Sequence, residues 1–396
     1  MSNIERRNNF IIRCWIFGVR YYKIEHGACS VPGLFLFKLS VSKKTKCLQI
    51  VALFSNKKNQ MKKLIALQAL VALAVMSFHA VAQQKTGFHV LRDIAIPSSG
   101  GWDYITVDGA SKRIYTSHGN QVNVVSTTTG DSIGYIPQTL GVHGVALVKS
   151  LGKGYVSCGR ANSVTVFDIK TLKVLAQIPV GTNPDAIFYD DFSKKIITCN
   201  GRSKDATIVD PATDKVVTTV PLGDKPETAV SDGKGKIFVN GEGTSTVIVF
   251  DALTYKEITR YKIDGGESPS GLDIDRKTNR LFIGCGDTKT MVVMDAATGK
   301  TVGTYPIGGT DGVVFDPELK VAYASNGEGT ISAVREINAD KFEFIENITT
   351  QPSARTIGID LTTHKLYLPA AKTEPNPAGG RPKQLPGTFH IIEVGK

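Results

Sequence analysis

Seven residues of mixed chemistry recur at nearly even spacing along this chain: Asp103, His143, Asp185, Glu227, Ser270, Asp311 and Arg355. The steps between them are 40, 42, 42, 43, 41 and 44 residues. Four carboxylates, one imidazole, one hydroxyl and one guanidinium thus share one repeating position. If a fold gathers them, the carboxylates and imidazole could hold a divalent cation. Oxygen donors suit Mg²⁺ or Ca²⁺, and an imidazole adds affinity for transition metals. His143, Asp185, Glu227 and Asp311 are the metal candidates. Such an ion could polarise a carbonyl or activate water. Arg355 could recognise an anionic group or pair with a neighbouring acid. Ring acids can also serve the fold alone, by bonding backbone N–H groups of an adjacent unit.

The spacing itself names the scaffold, because periods near 42 residues mark solenoids, propellers or arrays. The copy starting at Gly271 contains four short runs rich in β-branched and apolar residues, including Arg280-Leu281-Phe282-Ile283 and Met291-Val292-Val293-Met294. Turn residues such as Lys277-Thr278-Asn279 and Ala297-Thr298-Gly299 separate them. Four strands per unit without helical periodicity describe a propeller blade. The expected fold is all-β, a seven-bladed β-propeller. An Asp ends the third run in several copies (Asp168, Asp210, Asp251, Asp295), where its carboxylate can bond backbone N–H groups of the following turn.

Closure is also legible. The last copy ends at its third run, Phe389-His390-Ile391-Ile392-Glu393-Val394, and Phe88 to Ile96 reads as the missing fourth strand. Pairing the two closes the ring and removes exposed strand edges. First strands then line a central channel, and the seven recurring residues enter it from one face. The ends of the second strands, His118, Cys158, Asn200, Cys285 and Asn326, are expected at the same mouth. The candidate ligand-binding set is Asp103, His118, His143, Asp185, Asn200, Glu227, Ser270, Asp311, Asn326 and Arg355. A Pro- and Gly-rich stretch from Lys372 to Gly387 connects strands two and three of the last blade and is either a lid or a surface insertion.

The N-terminal part reads differently. Residues 61–82 resemble a secretory signal peptide: Lys62-Lys63, an apolar run from Leu64 to Phe78, and Ala80-Val81-Ala82 before Gln83. The run is too short for a comfortable membrane span. Cleavage after Ala82 and a periplasmic or secreted destination are expected. Residues 1–60 carry no repeat and read as an over-extended or disordered N-terminus, leaving 83–396 as the propeller. Of 47 Lys and Arg, 13 fall in residues 1–82, with 2 of the 36 Asp and Glu, so residues 83–396 hold 34 of each. The formal charge of +11 therefore belongs to the leader. Nucleic-acid binding is not expected, because bulk basicity is its usual footprint. Cys158, Cys199 and Cys285 remain after cleavage, an odd number that leaves a free thiol, and buried thiols are the simplest reading. Without Cys-x-x-Cys-His, attached haem is not expected.

The segments Gly101-Trp102-Asp103-Tyr104, Ser117-His118-Gly119, Gly141-Val142-His143-Gly144, Asn183-Pro184-Asp185-Ala186, Gly201-Arg202-Ser203 and Lys225-Pro226-Glu227 resemble the bacterial YncE-like proteins, exported seven-bladed propellers of the YVTN-repeat type. The resemblance spans about residues 88–394. It implies fold and export, not a defined activity, because propellers host many chemistries. The wider group includes metal-dependent lactonases and streptogramin lyases with sites at the channel mouth. Quinoprotein propellers carry a docking Trp in their blades, whereas Trp102 is the one Trp after residue 82, so no quinone cofactor is expected. No blade ends in the Trp-Asp of WD40 repeats.

The resulting expectation is an exported, monomeric binding or scaffold protein. It would recognise a small ligand, a metal or a periplasmic protein at the channel mouth. The alternative is a metal-dependent hydrolase or lyase working through the acidic and His ring. The sequence shows no catalytic triad or nucleophile motif that favours the second.

Overall fold

A computed structural model describes residues 85–376 and 382–396. Seven four-stranded antiparallel sheets form the blades of a ring. Blade 1 comprises 105–108, 113–118, 121–126 and 132–136; blade 2, 142–148, 153–158, 163–168 and 174–179; blade 3, 184–190, 195–200, 205–210 and 215–221. Blade 4 comprises 226–231, 236–241, 246–251 and 257–262; blade 5, 269–275, 280–285, 290–295 and 301–306; blade 6, 310–316, 321–326, 330–338 and 341–349. In blade 7 the strands 358–360, 365–370 and 390–395 are completed by His89–Ala95. Ile94 pairs with Ile391 and Ala95 with His390, so the first strand closes the ring on the last. Among the described residues no helix is long and apolar enough to cross a membrane.

The repeat specifies the packing between blades. The third residue of every second strand is large and apolar: Tyr115, Tyr155, Ile197, Phe238, Phe282, Tyr323 and Tyr367. All seven are at most 1% exposed. Burying each contributes on the order of 1.5–3 kcal/mol. Phe282 of blade 5 stacks on Phe315 of blade 6 with ring centroids 4.7 Å apart. Turn chemistry matches the sequence: Asp168 Oδ1 accepts from the Thr171 N–H at 2.7 Å, Asp251 Oδ1 from Leu253 at 3.0 Å, and Asp295 Oδ1 from Ala297 at 2.9 Å.

Polar straps tie neighbouring blades together beside the channel. The Ser157 hydroxyl donates to the Asp185 carbonyl, the Asn240 amide to the Ser270 carbonyl at 3.1 Å, and the Ser325 hydroxyl to the Arg355 carbonyl at 2.5 Å. Thr356 Oγ1 donates to the Asp103 carbonyl at 2.6 Å, joining blade 7 to blade 1. These bonds fix the backbone of the recurring residues and leave their side chains free to face the channel.

Candidate functional site: the polar mouth of the channel

In blades 2 to 6 the recurring residue is the second of its inner strand, while Asp103 and Arg355 lie just before the inner strands of blades 1 and 7. All seven side chains therefore gather at one mouth. They line a cavity of about 630 Å³ together with Trp102, Tyr104, Arg160, Arg202, Lys225, Glu242 and Asp287.

The closest cluster is Asp103, His143 and Asp185. His143 Nδ1 lies 2.6 Å from Asp103 Oδ2 and 3.4 Å from Asp185 Oδ1. One Nδ1 proton can serve only one acceptor, and distance assigns it to Asp103. Asp185 Oδ1 is then buried without a hydrogen-bond donor among the described residues. On the far side, the Arg355 guanidinium pairs with Asp311, reaches Asp103 Oδ1 at 3.8 Å and donates to the Trp102 carbonyl at 3.2 Å. Lys225 Nζ contacts Glu227 Oε1 at 2.6 Å and also pairs with Glu242. The Tyr104 hydroxyl meets Thr228 Oγ1 at 3.5 Å from across the ring.

Crowded carboxylates in a recess resist ionisation. Burial, then the charge of Asp103, pushes Asp185 up to about 6, against the pull of His143, Lys225 and Arg355. Burial and the charge of Asp185 push Glu227 up to about 8 despite its bond to Lys225. Burial alone would lower His143, but the bond to Asp103 and the charges of Asp185, Asp103 and Glu227 outweigh it and hold the imidazolium above its ordinary range. Burial likewise opposes the charge on Arg355, yet Asp103 and Asp311 hold it above its ordinary value.

The geometry regroups the metal candidates. His143 and Asp185 belong with Asp103: one ligand atom from each of the three lies within 4.8 Å of the others. Glu227 and Asp311 are instead engaged by Lys225 and Arg355, so the set His143, Asp185, Glu227 and Asp311 does not form one cluster. Asp103, His143 and Asp185 present oxygen and nitrogen donors that fit a divalent cation. Ser270 lines the cavity with its hydroxyl 3.4 Å from the Asp311 carbonyl.

The second-strand ends do not reach the mouth, a correction to the sequence reading. His118 is fully buried in blade 1, stacked on Phe389 at 3.8 Å, and burial lowers it to about 4. Asn200 donates to Asp205 Oδ1 at 2.6 Å and Thr207 Oγ1 at 2.9 Å; Asn326 donates to Thr330 and Ser332, both at 2.9 Å. The two asparagines bond groups of their own sheets and His118 lies against Ser98 and Phe389, so none of the three turns toward the channel. Cys158, Cys199 and Cys285 are buried free thiols, and burial raises each above the ordinary range, Cys285 to about 12. Cys158 packs toward blade 1 and Cys199 toward blade 4, the opposite facing that their one-residue offset implies. Among the described residues the stretch from Lys372 contributes nothing to the cavity lining; it forms a small ribbon pairing Thr373 with Gln384. Residues 377–381 lie outside the described residues.

Lys225, Glu242, Arg160 and Arg202 are site residues that the ring alone does not reveal. For Lys225 and Glu242 the signal is departure from the repeat. The residue after the second strand is Gly119, Gly159, Gly201, Gly286 and Gly327 in blades 1, 2, 3, 5 and 6, and Glu242 in blade 4. Its N–H bonds the carbonyl of Gly101, Gly141, Asn183, Ser268 and Gly309, and in blade 4 that of Lys225. Two positions that are otherwise small thus carry a long ion pair in one blade.

No family model and no curated protein matches the chain. Among solved structures the fold is similar to "Structure of U3-55K", with TM-score 0.66 and 9% identity over 78% of this chain and 99% of that chain. The WD40 repeats of RRP9 give TM-score 0.65 at 9% identity, covering 78% and 99%. A chain of Kuenenia stuttgartiensis hydrazine synthase gives 0.63 at 13%, covering 74% and 96%. At these identities the likeness shows the fold alone: a seven-bladed β-propeller with WD40-like neighbours.

Proposed function

We propose that the protein is an exported, YncE-like binding propeller that takes a small polar ligand at the channel mouth. The observation that carries this reading is the cavity of about 630 Å³, into which all seven blades direct their recurring residue. Concave sites with a few convergent polar groups are where ligands bind. Asp185 Oδ1, buried without a donor, leaves one polar demand for a ligand to satisfy. Export rests on Lys62-Lys63, the apolar run and Ala80-Val81-Ala82, which lie outside the described residues. The test is twofold. N-terminal sequencing of the protein from a bacterial periplasm should begin at Gln83. Calorimetry should show saturable binding of a small molecule that Asp185→Asn weakens, without turnover of the bound molecule.

The Asp103, His143 and Asp185 cluster favours a second reading, a metal-dependent hydrolase or lyase. There these three residues would hold the ion, and Lewis-acid activation of water or a carbonyl is the chemistry it would supply. Stoichiometric metal in the purified protein, lost in His143→Ala, together with turnover of lactones or esters, would favour this reading. Metal-loaded protein inert toward such substrates would count against it.

A further inference from the structure

Among the described residues, two guanidiniums at the mouth have no acidic partner. Arg160 and Arg202 both line the cavity, and among the described residues neither is paired with a carboxylate. The other cations there are committed, Lys225 to Glu227 and Glu242, and Arg355 to Asp311 and Asp103. Arg160 and Arg202 occupy the same position in adjacent blades. Each follows a glycine, Gly159 or Gly201, whose N–H bonds the rim carbonyl of Gly141 or Asn183 at 2.8 and 2.9 Å. The Arg160 stem crosses Gly141, where a Cβ would lie 2.5 Å from Arg160 Cγ, so the glycine at φ 68° keeps that path open. In blades 5 and 6 the same position holds Asp287 and Glu328. The rim is therefore cationic over blades 2 and 3, with Asp287 of blade 5 also lining the cavity, while Glu328 is paired with Lys289 at 2.6 Å.

The same cavity holds Asp185 of blade 3 and Asp103. His143 gives its Nδ1 proton to Asp103, and Asp185 Oδ1 is buried without a donor. A buried carboxylate oxygen in this position calls for a donor, and two arginines of the same cavity without a carboxylate partner call for an anion. A divalent cation would satisfy the first requirement and leave the second open. A molecule carrying both charges meets both.

We propose that the mouth binds a small zwitterion of the amino-acid type, its carboxylate held by Arg160 and Arg202 and its ammonium by Asp185 and Asp103. This rests on the mouth being a binding site. The test is calorimetry on protein purified from the full-length chain. The probes are the common amino acids, then, for any that binds, the matching hydroxy acid and the matching simple amine. Mg²⁺, Zn²⁺, inorganic phosphate and a neutral sugar complete the panel. At least one amino acid should bind one per chain. Its hydroxy-acid and amine analogues should each bind roughly 10- to 100-fold more weakly, the range expected for losing a charge-assisted contact. Arg160→Ala with Arg202→Ala should weaken binding by a similar factor; both side chains are exposed, so the fold should survive. Amino-acid binding that is undiminished in that double variant would overturn the assignment. Binding of only a metal, phosphate or sugar would overturn the zwitterion and leave the binding site standing. No binding by any probe would count against both.

Discussion

Glu227 gives the sharpest physical test of the mouth. In the folded protein its carboxyl rises from the usual 4.5 to about 8, through burial and the charge of Asp185, against the opposing pull of Lys225. A carboxyl raised on folding binds its proton more tightly in the native state. Native stability therefore falls as pH rises from about 4.5 through about 8 and levels off above that. Asp185, raised to about 6, adds the same sign over the lower part of that window. His143, raised above 6.5, also holds a proton in the native state, and its stabilising contribution fades as pH rises through its folded value. Full ionisation of a carboxyl moved this far would cost up to roughly 5 kcal/mol. Glu227 and Asp185 are each 13% exposed at the mouth, where water screens part of their repulsion, so about 1–3 kcal/mol is the realistic range. Glu227→Gln removes the titrating group and keeps the shape, while Lys225 retains Glu242. The variant should match wild type near pH 4.5 and exceed it at pH 9 by roughly 2–6 °C in Tm, taking about 2 °C per kcal/mol for a domain of this size. Thermal melts of both proteins at four or five pH values and constant ionic strength supply the measurement. Parallel wild-type and variant curves from pH 4.5 to 9 would refute the electrostatic description of the mouth.

Removing the closing strand, by deleting residues through Ile96, strips Phe88, Ile94 and Ile96 from the core. At about 2 kcal/mol each this should cost at least roughly 5 kcal/mol, visible as lost cooperativity in a thermal melt. His118→Ala empties a buried site stacked on Phe389 and should cost about 2–4 kcal/mol in denaturant unfolding while leaving mouth binding within twofold of wild type. A thiol reagent should leave Cys158, Cys199 and Cys285 untouched in the native protein and modify all three once it is unfolded, read by intact mass.

Blade number, strand content and ring closure were readable in the sequence because each follows from a period. A 42-residue repeat, four apolar runs per copy and a missing fourth strand leave one way to close a ring. The seven recurring residues were readable for the same reason: Asp103 and Arg355 sit 252 residues apart yet face each other across the closure. Periodicity did not reveal which side chains pair. It grouped Glu227 and Asp311 with His143, whereas Lys225 and Arg355 claim them. It placed His118, Asn200 and Asn326 at the mouth because strand ends reach it, but side-chain direction alternates along a strand and turns these three inward. Lys225 and Glu242 stand where the repeat breaks its own rule, Arg160 and Arg202 share one position of adjacent blades, and aligning the blades one against another brings them out.

Native mass spectrometry of protein processed from the full-length chain, purified from a bacterial periplasm and exposed to a small-molecule extract of that compartment, tests the binding mouth most directly. A functional mouth predicts one adduct per chain on the wild type, lost in Asp185→Ala and in the Arg160→Ala, Arg202→Ala double variant, and retained in His118→Ala. An unliganded wild-type mass under all conditions, or an adduct that survives the mouth substitutions, would contradict it.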